Sequence, residues 1–319
     1  MVRDLLLGRA VRDVDLVLEG DALDFARRLA DRLGAALRVH ERFGTATLAW
    51  SDGRRLDVAA TRRERYGRSG ALPDVVAGVP IEQDLGRRDF TINALALELS
   101  RTPRLLDPFG GRDDLRRGLV RILHAESFLD DPTRILRAVR YAARLGFRLA
   151  PETRNRLVAA AGEGALDRIS ADRVRREIRL MLEEPERRRA LAMMRRLGVD
   201  AAIHPALARP GEARRPRIRP GGDWLEALRA WIGEADAGAF ADVAARLHLS
   251  RAEHGALAGP RRAAEPAPVR GADLIAAGVP AGPAIGRALA RTRDALRDGR
   301  LSGEDALDFA VRAAREELS

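Results

Sequence analysis

Apolar and polar positions recur along this chain with two different periods, and the change of period divides it. Up to about residue 122, short apolar runs at 14–18, 37–39, 45–50 and 55–59 read as strands around an amphipathic helix at 22–34. Within that helix Leu23, Phe25, Ala26, Leu29 and Leu33 fall near a 3.6-residue spacing, and Gly34 follows as a stop signal. Ser51-Asp52-Gly53 is the turn between the two strands flanking it. From Asp130 onward the helical period takes over, at 132–145, 151–161, 171–182 and 185–197. Pro132, Pro151 and Pro185 each sit where a first helical turn tolerates a missing N–H. Residues 208–222, rich in Pro, Gly and Arg, read as a linker, and 258–269, with three Pro, as a second break. Trp224, Leu228 and Trp231, spaced i, i+4, i+7, predict a core stripe, and no fixed-period repeat occurs. The expected class is α+β at the front followed by an all-helical remainder.

Composition narrows the function classes. A chain of 319 residues suggests several modules, and 46% apolar residues with only 4% aromatics favour helical packing. All 57 basic residues are Arg and the net charge is +10. Arginine forks pair with phosphates, so nucleic acid is a candidate partner, although charge alone fits a solubility role equally well. With no Cys there is no disulfide, thiolate zinc site or thiol nucleophile, and a cytoplasmic setting is expected. No apolar run approaches the ~18 to 20 residues of a membrane span, and residues 1–20 lack a signal-peptide pattern. The five His residues are scattered without ligand spacing and read as structural.

The candidate chemistry begins with Asp13-Val14-Asp15. On a strand the two carboxylates project to the same side, ~6 to 7 Å apart along the backbone, a geometry suited to Mg²⁺ ions about 3.5 to 4 Å apart in nucleotidyl transfer. Asp57, on another apolar strand, is either a third acid or a solvated one. Arg87-Arg88-Asp89 offers guanidinium forks for phosphate and a carboxylate that can accept from ribose hydroxyls. Asp131 is expected as the N-cap of a helix on which Arg134, Arg137 and Arg140 form a basic stripe. An acid beside an arginine also presents an acceptor and a donor, matching the N4 amine and N3 of cytosine or the N6 amine and N1 of adenine. Uracil and guanine would set acceptor against acceptor, at a cost of about 1 to 3 kcal/mol.

Taken in order, Val2-Arg3-Asp4 through Asp13-x-Asp15, Arg87-Arg88-Asp89 through Asn93, Asp107-Pro-Phe-Gly-Gly111, Asp131-x-x-Arg134-x-x-Arg137 and Ile169 to Arg175 resemble the motifs of the class II tRNA nucleotidyltransferase and bacterial poly(A) polymerase family. The resemblance implies a polymerase-beta-type nucleotidyltransferase head (1–124), a helical neck (125–207), the linker (208–222), and a helical body and tail (223–319). It implies Mg²⁺ at Asp13 and Asp15, and contacts from Arg3, Arg88, Arg137 and Arg140 to the phosphates and sugar. Asp131 and Arg134 would read the incoming base without a nucleic-acid template, and 66–83 would be a mobile loop. The implied reaction adds CMP and AMP from CTP and ATP to the 3′ end of tRNA, gripped at its acceptor and T-arm region. CC-only, A-only and poly(A) addition fit the same motifs. The family's Gly-Gly turn before Val2 is not in this chain, so an upstream start or a weakened nucleotide site is expected, the latter leaving an RNA-binding protein as the rival reading. Asp130 and Asp172 stand where the family usually has Glu.

Overall fold

Four strands build the sheet that carries the acidic motif. The computed structural model describes residues 1–11, 14–41, 44–208, 223–233, 237–258, 269–297, 301 and 305–318. Asp13, positions 209–222 of the expected linker and positions 259–268 of the second break lie outside the described residues. After a short helix α1 (Val2–Leu6) come β1 (Val14–Leu18), α2 (Ala22–Leu33), β2 (Ala36–His40), β3 (Thr45–Ala49) and β4 (Arg55–Ala60), with sheet order β1-β4-β3-β2. The β3–β4 hairpin is antiparallel across the expected turn, whereas β1 pairs parallel with β4. This parallel register sets Asp15 opposite Asp57, and the antiparallel one sets Thr47 opposite Asp57, so all three project on one face.

The other face of the sheet is covered by α2, capped at Asp21, whose carboxylate accepts from the amides of Leu23 and Asp24. Its buried side is an alanine stripe of Ala22, Ala26 and Ala30, packed against Ala46, Leu48 and Val58. The larger residues Leu23, Phe25 and Leu29 flank that stripe half-buried, and Leu33 is exposed. Small residues win the central positions because they let helix and sheet approach closely.

Two hairpins follow that the apolar pattern does not announce: β5 (Arg62–Arg65) with β6 (Asp74–Ala77), and, after α3 (Ile81–Gly86), β7 (Ala96–Glu98) with β8 (Arg104–Leu106). The segment 66–83 is therefore not loop throughout, since it contains all of β6 and the start of α3. Helix α4 (Gly111–Arg117) starts at the Gly-Gly pair, where Gly110 has φ of 70° and an added Cβ on Gly111 would run into the carbonyl of Thr91. Short strands β9 (Leu119–Val120) and β10 (Arg148–Leu149) pair in parallel around the next helices.

The remainder of the first compact unit, Met1–Leu257, is helical: α5 (Ser127–Asp130), α6 (Thr133–Leu145), α7 (Pro151–Gly162), α8 (Ala171–Glu183), α9 (Arg187–Leu197), α10 (Val199–Ile203), α11 (Pro205–Ala208), α12 (Trp224–Ile232), α13 (Ala237–Arg246) and α14 (Arg251–Ala258). One apolar core joins Phe90 and Ile92 to these helices, and Trp224, Leu228 and Trp231 are buried in it as their spacing requires. Helix α6 lies deep in this core, with Ile135, Leu136, Ala138, Val139 and Ala142 almost wholly buried. The second unit, Ala258–Ser319, has its own core where Leu274, Val279 and Ala288 meet Ala306, Ala310 and Ala314 on α15 (Gly271–Ala276), α16 (Pro283–Arg297) and α17 (Ala306–Glu316). No helix of the described residues is long and apolar enough to cross a membrane.

Candidate active site

A cavity of about 520 Å³ opens where the front sheet meets α6, and it collects Arg3, Asp15, Arg88, Asp131, Arg134 and Arg137. These residues lie up to 134 positions apart in sequence and reach the cavity from α1, β1, the segment after α3, the segment just before α6, and α6 itself. Asp15 also lines a neighbouring cavity of about 360 Å³ on the β1–β4 face, together with Asp57, Arg87 and Arg88. The acids of the sheet thus open toward the arginines.

Asp15 is exposed and makes no ion pair among the described residues, while Asp57 accepts a 2.5 Å hydrogen bond from the Thr47 hydroxyl. Among the described residues no cluster of three or more His, Asp or Glu forms a closed cage. Two neighbouring carboxylates on an open face nevertheless suit a hard cation such as Mg²⁺, which keeps several waters and takes its other ligands from substrate oxygens.

The arginine pair is anchored from below. Asp84 has no solvent exposure and accepts from Arg87 at 2.7 and 3.1 Å, from Arg88 at 3.1 Å and from the Arg62 amide at 3.1 Å. Burial pushes its pKa up, but Arg87, Arg88 and the Arg62 amide outweigh that and hold it below the ordinary carboxylate value. Arg87 also donates to Glu64 at 2.9 Å. Burial and then the Glu64 charge raise the Tyr66 pKa, so the phenol stays protonated and donates to Glu64 at 3.0 Å. Arg88 donates to the Asn93 carbonyl, and its Nε is buried without an acceptor among the described residues.

Asp89 is not free to receive a sugar hydroxyl. Its Oδ1 accepts from the Phe90 amide and the Asn93 amide group, both at 2.9 Å, and its Oδ2 takes Arg137 through two N–H donors at 2.7 and 2.9 Å. The carboxylate positions Arg137 instead. Asn93 in turn accepts from Arg3 at 2.6 Å. Burial disfavours the Arg137 cation, but Asp89, Tyr141 and Glu177 more than compensate, so its pKa rises above the usual guanidinium value.

Two of the three arginines in the basic stripe of α6, Arg134 and Arg140, are buried, and Arg137 is half-buried at the cavity. Arg134 is 4% exposed and donates to the Ser127 hydroxyl at 2.8 Å and the Arg87 carbonyl at 2.7 Å. It has no carboxylate partner within salt-bridge distance among the described residues, so a buried cation faces the cavity with donors to spare. Arg140, also buried, does not line the cavity: it is locked between Glu177 at 3.0 Å and Glu184 at 3.2 Å. The reason is tertiary, because both acids come from the α8 segment packed against it. Arg144, one turn further on, does line the cavity.

Asp131 lies one residue ahead of the helix boundary, where Pro132 is the capping position. Its Oδ1 accepts from the Thr133 amide at 3.0 Å, the Thr133 hydroxyl at 2.6 Å and Arg173 at 2.7 Å. No described residue donates to its Oδ2. One oxygen is therefore fixed, and the other is open beside Arg134. Arg173 also donates to the Gly70 carbonyl at 3.2 Å, tying the segment after β5 to the same acid. Asp130 meets His124 at 3.8 Å; burial raises the acid's pKa, while burial and then Arg134 lower the imidazole's.

Sequence reasoning missed Asp84, Asn93, Tyr141, Arg144, Arg173 and Glu177. Two carried a local signal: Asp84 is three and four residues from Arg87 and Arg88, and Tyr141 is four from Arg137. Glu177 had none, since its partner Arg137 lies 40 residues away; Arg173 belongs to the quoted segment Ile169 to Arg175, but its pairing with Asp131, 42 residues away, was not readable.

Residues 1–121 match the poly A polymerase head domain, and residues 146–209 match a segment described as a probable RNA and SrmB-binding site of polymerase A. The CC-adding tRNA nucleotidyltransferase of Deinococcus radiodurans is 34% identical over 331 residues, covering 98% of this chain and 87% of the relative. The A-adding tRNA nucleotidyltransferase of Geobacter sulfurreducens is 43% identical over 208 residues, covering 65% of this chain and 24% of the relative. The chain spans less than half the length of the A-adding relatives, 24% of that one and 44% of the one from Halalkalibacterium halodurans. Among solved structures, a CCA-adding enzyme in its apo form II superposes with a TM-score of 0.68 at 31% identity, covering 98% of this chain and 73% of that one.

Proposed function

We propose a function that proceeds from one premise: the chain belongs to the tRNA nucleotidyltransferase and poly(A) polymerase family. It transfers CMP and AMP from CTP and ATP to the 3′ end of tRNA without a nucleic-acid template, releasing pyrophosphate. Residues 1–124 act as the nucleotidyltransferase head, 125–207 as the base-reading neck and 223–319 as the helical body and tail that hold tRNA. The setting is cytoplasmic.

The observation that carries this reading is the pairing of the open Asp131 Oδ2 with the Arg134 cation, which has no carboxylate partner among the described residues, in the cavity that also holds Arg3, Arg88 and Arg137. Asp131 accepts from the exocyclic amine of cytosine or adenine, and Arg134 donates to the adjacent ring nitrogen. Arg3, Arg88 and Arg137 receive the triphosphate, with Arg144 in the role the sequence suggested for Arg140. Asp13, Asp15 and Asp57 would hold Mg²⁺, which when bound lowers the pKa of the attacking ribose hydroxyl and offsets charge on the phosphates. The protein's own part is to align hydroxyl and α-phosphate, since nucleotidyl transfer gains most from positioning and fixed charge.

Incorporation of labelled CTP and ATP into tRNAs ending at the discriminator base, at C and at CC tests the reaction. Extension with both nucleotides is expected; no extension of any of the three overturns the assignment. Extension that stops after CC supports the second reading, favoured by the near full-length likeness to the CC-adding relative.

Arg134→Ala tests the base reader. The preference for CTP over UTP is expected to fall about 10- to 100-fold, the equivalent of losing one buried charged hydrogen bond. An unchanged preference, measured as the ratio of kcat/KM values, counts against the Asp131–Arg134 pair.

A further inference from the structure

We propose that Tyr141 is a positioning residue: its ring gathers arginines from separate parts of the chain, Arg3 and Arg137 in the cavity and Arg140 behind it, and adds no countercharge of its own. This rests on the reading that the cavity receives a nucleoside triphosphate. The guanidinium carbons of Arg3, Arg137 and Arg140 lie 5.1, 5.4 and 5.1 Å from the centroid of that one ring. All are within the ~6 Å over which the quadrupole of an aromatic face attracts a cation. Tyr141 itself lines the cavity, and Phe90, fully buried, meets its ring edge-on with centroids 5.9 Å apart and planes at 78°. The ring plane is therefore set by the core.

Three cations around one point repel one another. Carboxylates relieve part of this: Asp4 pairs with Arg3, Asp89 and Glu177 with Arg137, and Glu177 and Glu184 with Arg140. Another carboxylate at position 141 would relieve more, but it would occupy N–H donors and cancel the positive field that a triphosphate requires. An aromatic face avoids both costs, because it attracts the flat side of a guanidinium, leaves the in-plane N–H groups directed outward, and adds no net charge. The phenol oxygen accepts only a long 3.4 Å contact from Arg137, so the ring rather than the hydroxyl carries the effect. Arg3 and Arg137 stand 134 positions apart in sequence, and Tyr141 is a direct contact that both share.

The test grades the ring at nearly constant size. Tyr141→Phe and a series of mono-, di- and trifluorinated phenylalanines at position 141 are made in the full chain. Calorimetry measures binding of CTP with Mg²⁺ and of inorganic tripolyphosphate, and steady-state assays separate KM from kcat. Tyr141→Phe is expected to bind within about twofold of wild type, and affinity for both ligands to fall steadily with fluorination, by about tenfold at the trifluorinated ring. KM for CTP should rise in parallel while kcat changes little. A purely packing role leaves the series flat, because the ring's shape hardly changes. Wild-type binding with a flat series overturns the role of Tyr141 alone. A wild-type chain that binds neither CTP nor tripolyphosphate overturns the functional reading, and this proposal with it.

Discussion

Asp15→Ala is expected to reduce nucleotide incorporation by about 10³-fold or more while leaving tRNA affinity within about twofold. Asp15 is exposed, and no described residue pairs with it, so its removal takes away nothing that the fold uses. Its value lies in its register. The parallel pairing of β1 with β4 sets it beside Asp57, and the cavity they share opens onto Arg87 and Arg88. Losing one oxygen ligand from a site with so few protein ligands removes both affinity for the divalent ion and the charge that the reacting phosphate needs. Single-turnover incorporation, filter binding of tRNA and the thermal midpoint are measured together. Turnover near the wild-type rate would sink the assignment of these acids, and a large fall in the midpoint would mean that Asp15 is structural after all.

Asp84→Ala is expected to act in the opposite way, on stability first. The variant strands two guanidiniums and an amide around a fully buried site, and breaking such a network costs about 3 to 5 kcal/mol. For a unit of this size that lowers Tm by roughly 10 °C. The pH dependence has a definite sign. Because the folded-state pKa of Asp84 lies below its ordinary value, its contribution is fully present above about pH 4 and is lost as the pH falls through the lower folded-state value. The Tm of the wild type should drop on acidification below about pH 4, and the variant should show a shallower drop. Equal acid limbs, or a midpoint unchanged at neutral pH, would show that the arginine pair does not depend on this anchor.

The elements legible in the sequence were those whose packing is periodic. The strands of the front sheet, the helices α6 to α9 and the Trp224 stripe follow from spacing, most plainly β3, α6 and the Trp224 stripe, which bury a regular face. The β5–β6 hairpin was not legible: Arg62–Arg65 is wholly charged, and its alternation serves Asp84 and Glu64 rather than an apolar core. On α2, Leu23, Phe25, Ala26 and Leu29 of the periodic set pack on the sheet, but the most deeply buried line is Ala22, Ala26 and Ala30, because small side chains decide close approach. At the site, the residue types and their order were readable, but their pairing was not. Nothing local distinguishes Arg140 from Arg137. Asp89 selects one from the front half, and Glu184 takes the other from the far end of α8. In the same way Asp57 could be weighed only as one more acid until β4 was found lying parallel to β1.

Hydrogen bonds run without a gap from Arg3 through Asn93, Asp89, Arg137, Glu177 and Arg140 to Glu184. They tie residues near the amino terminus to α6 and the end of α8, so a substitution at one link is expected to be felt at the arginines on either side of it.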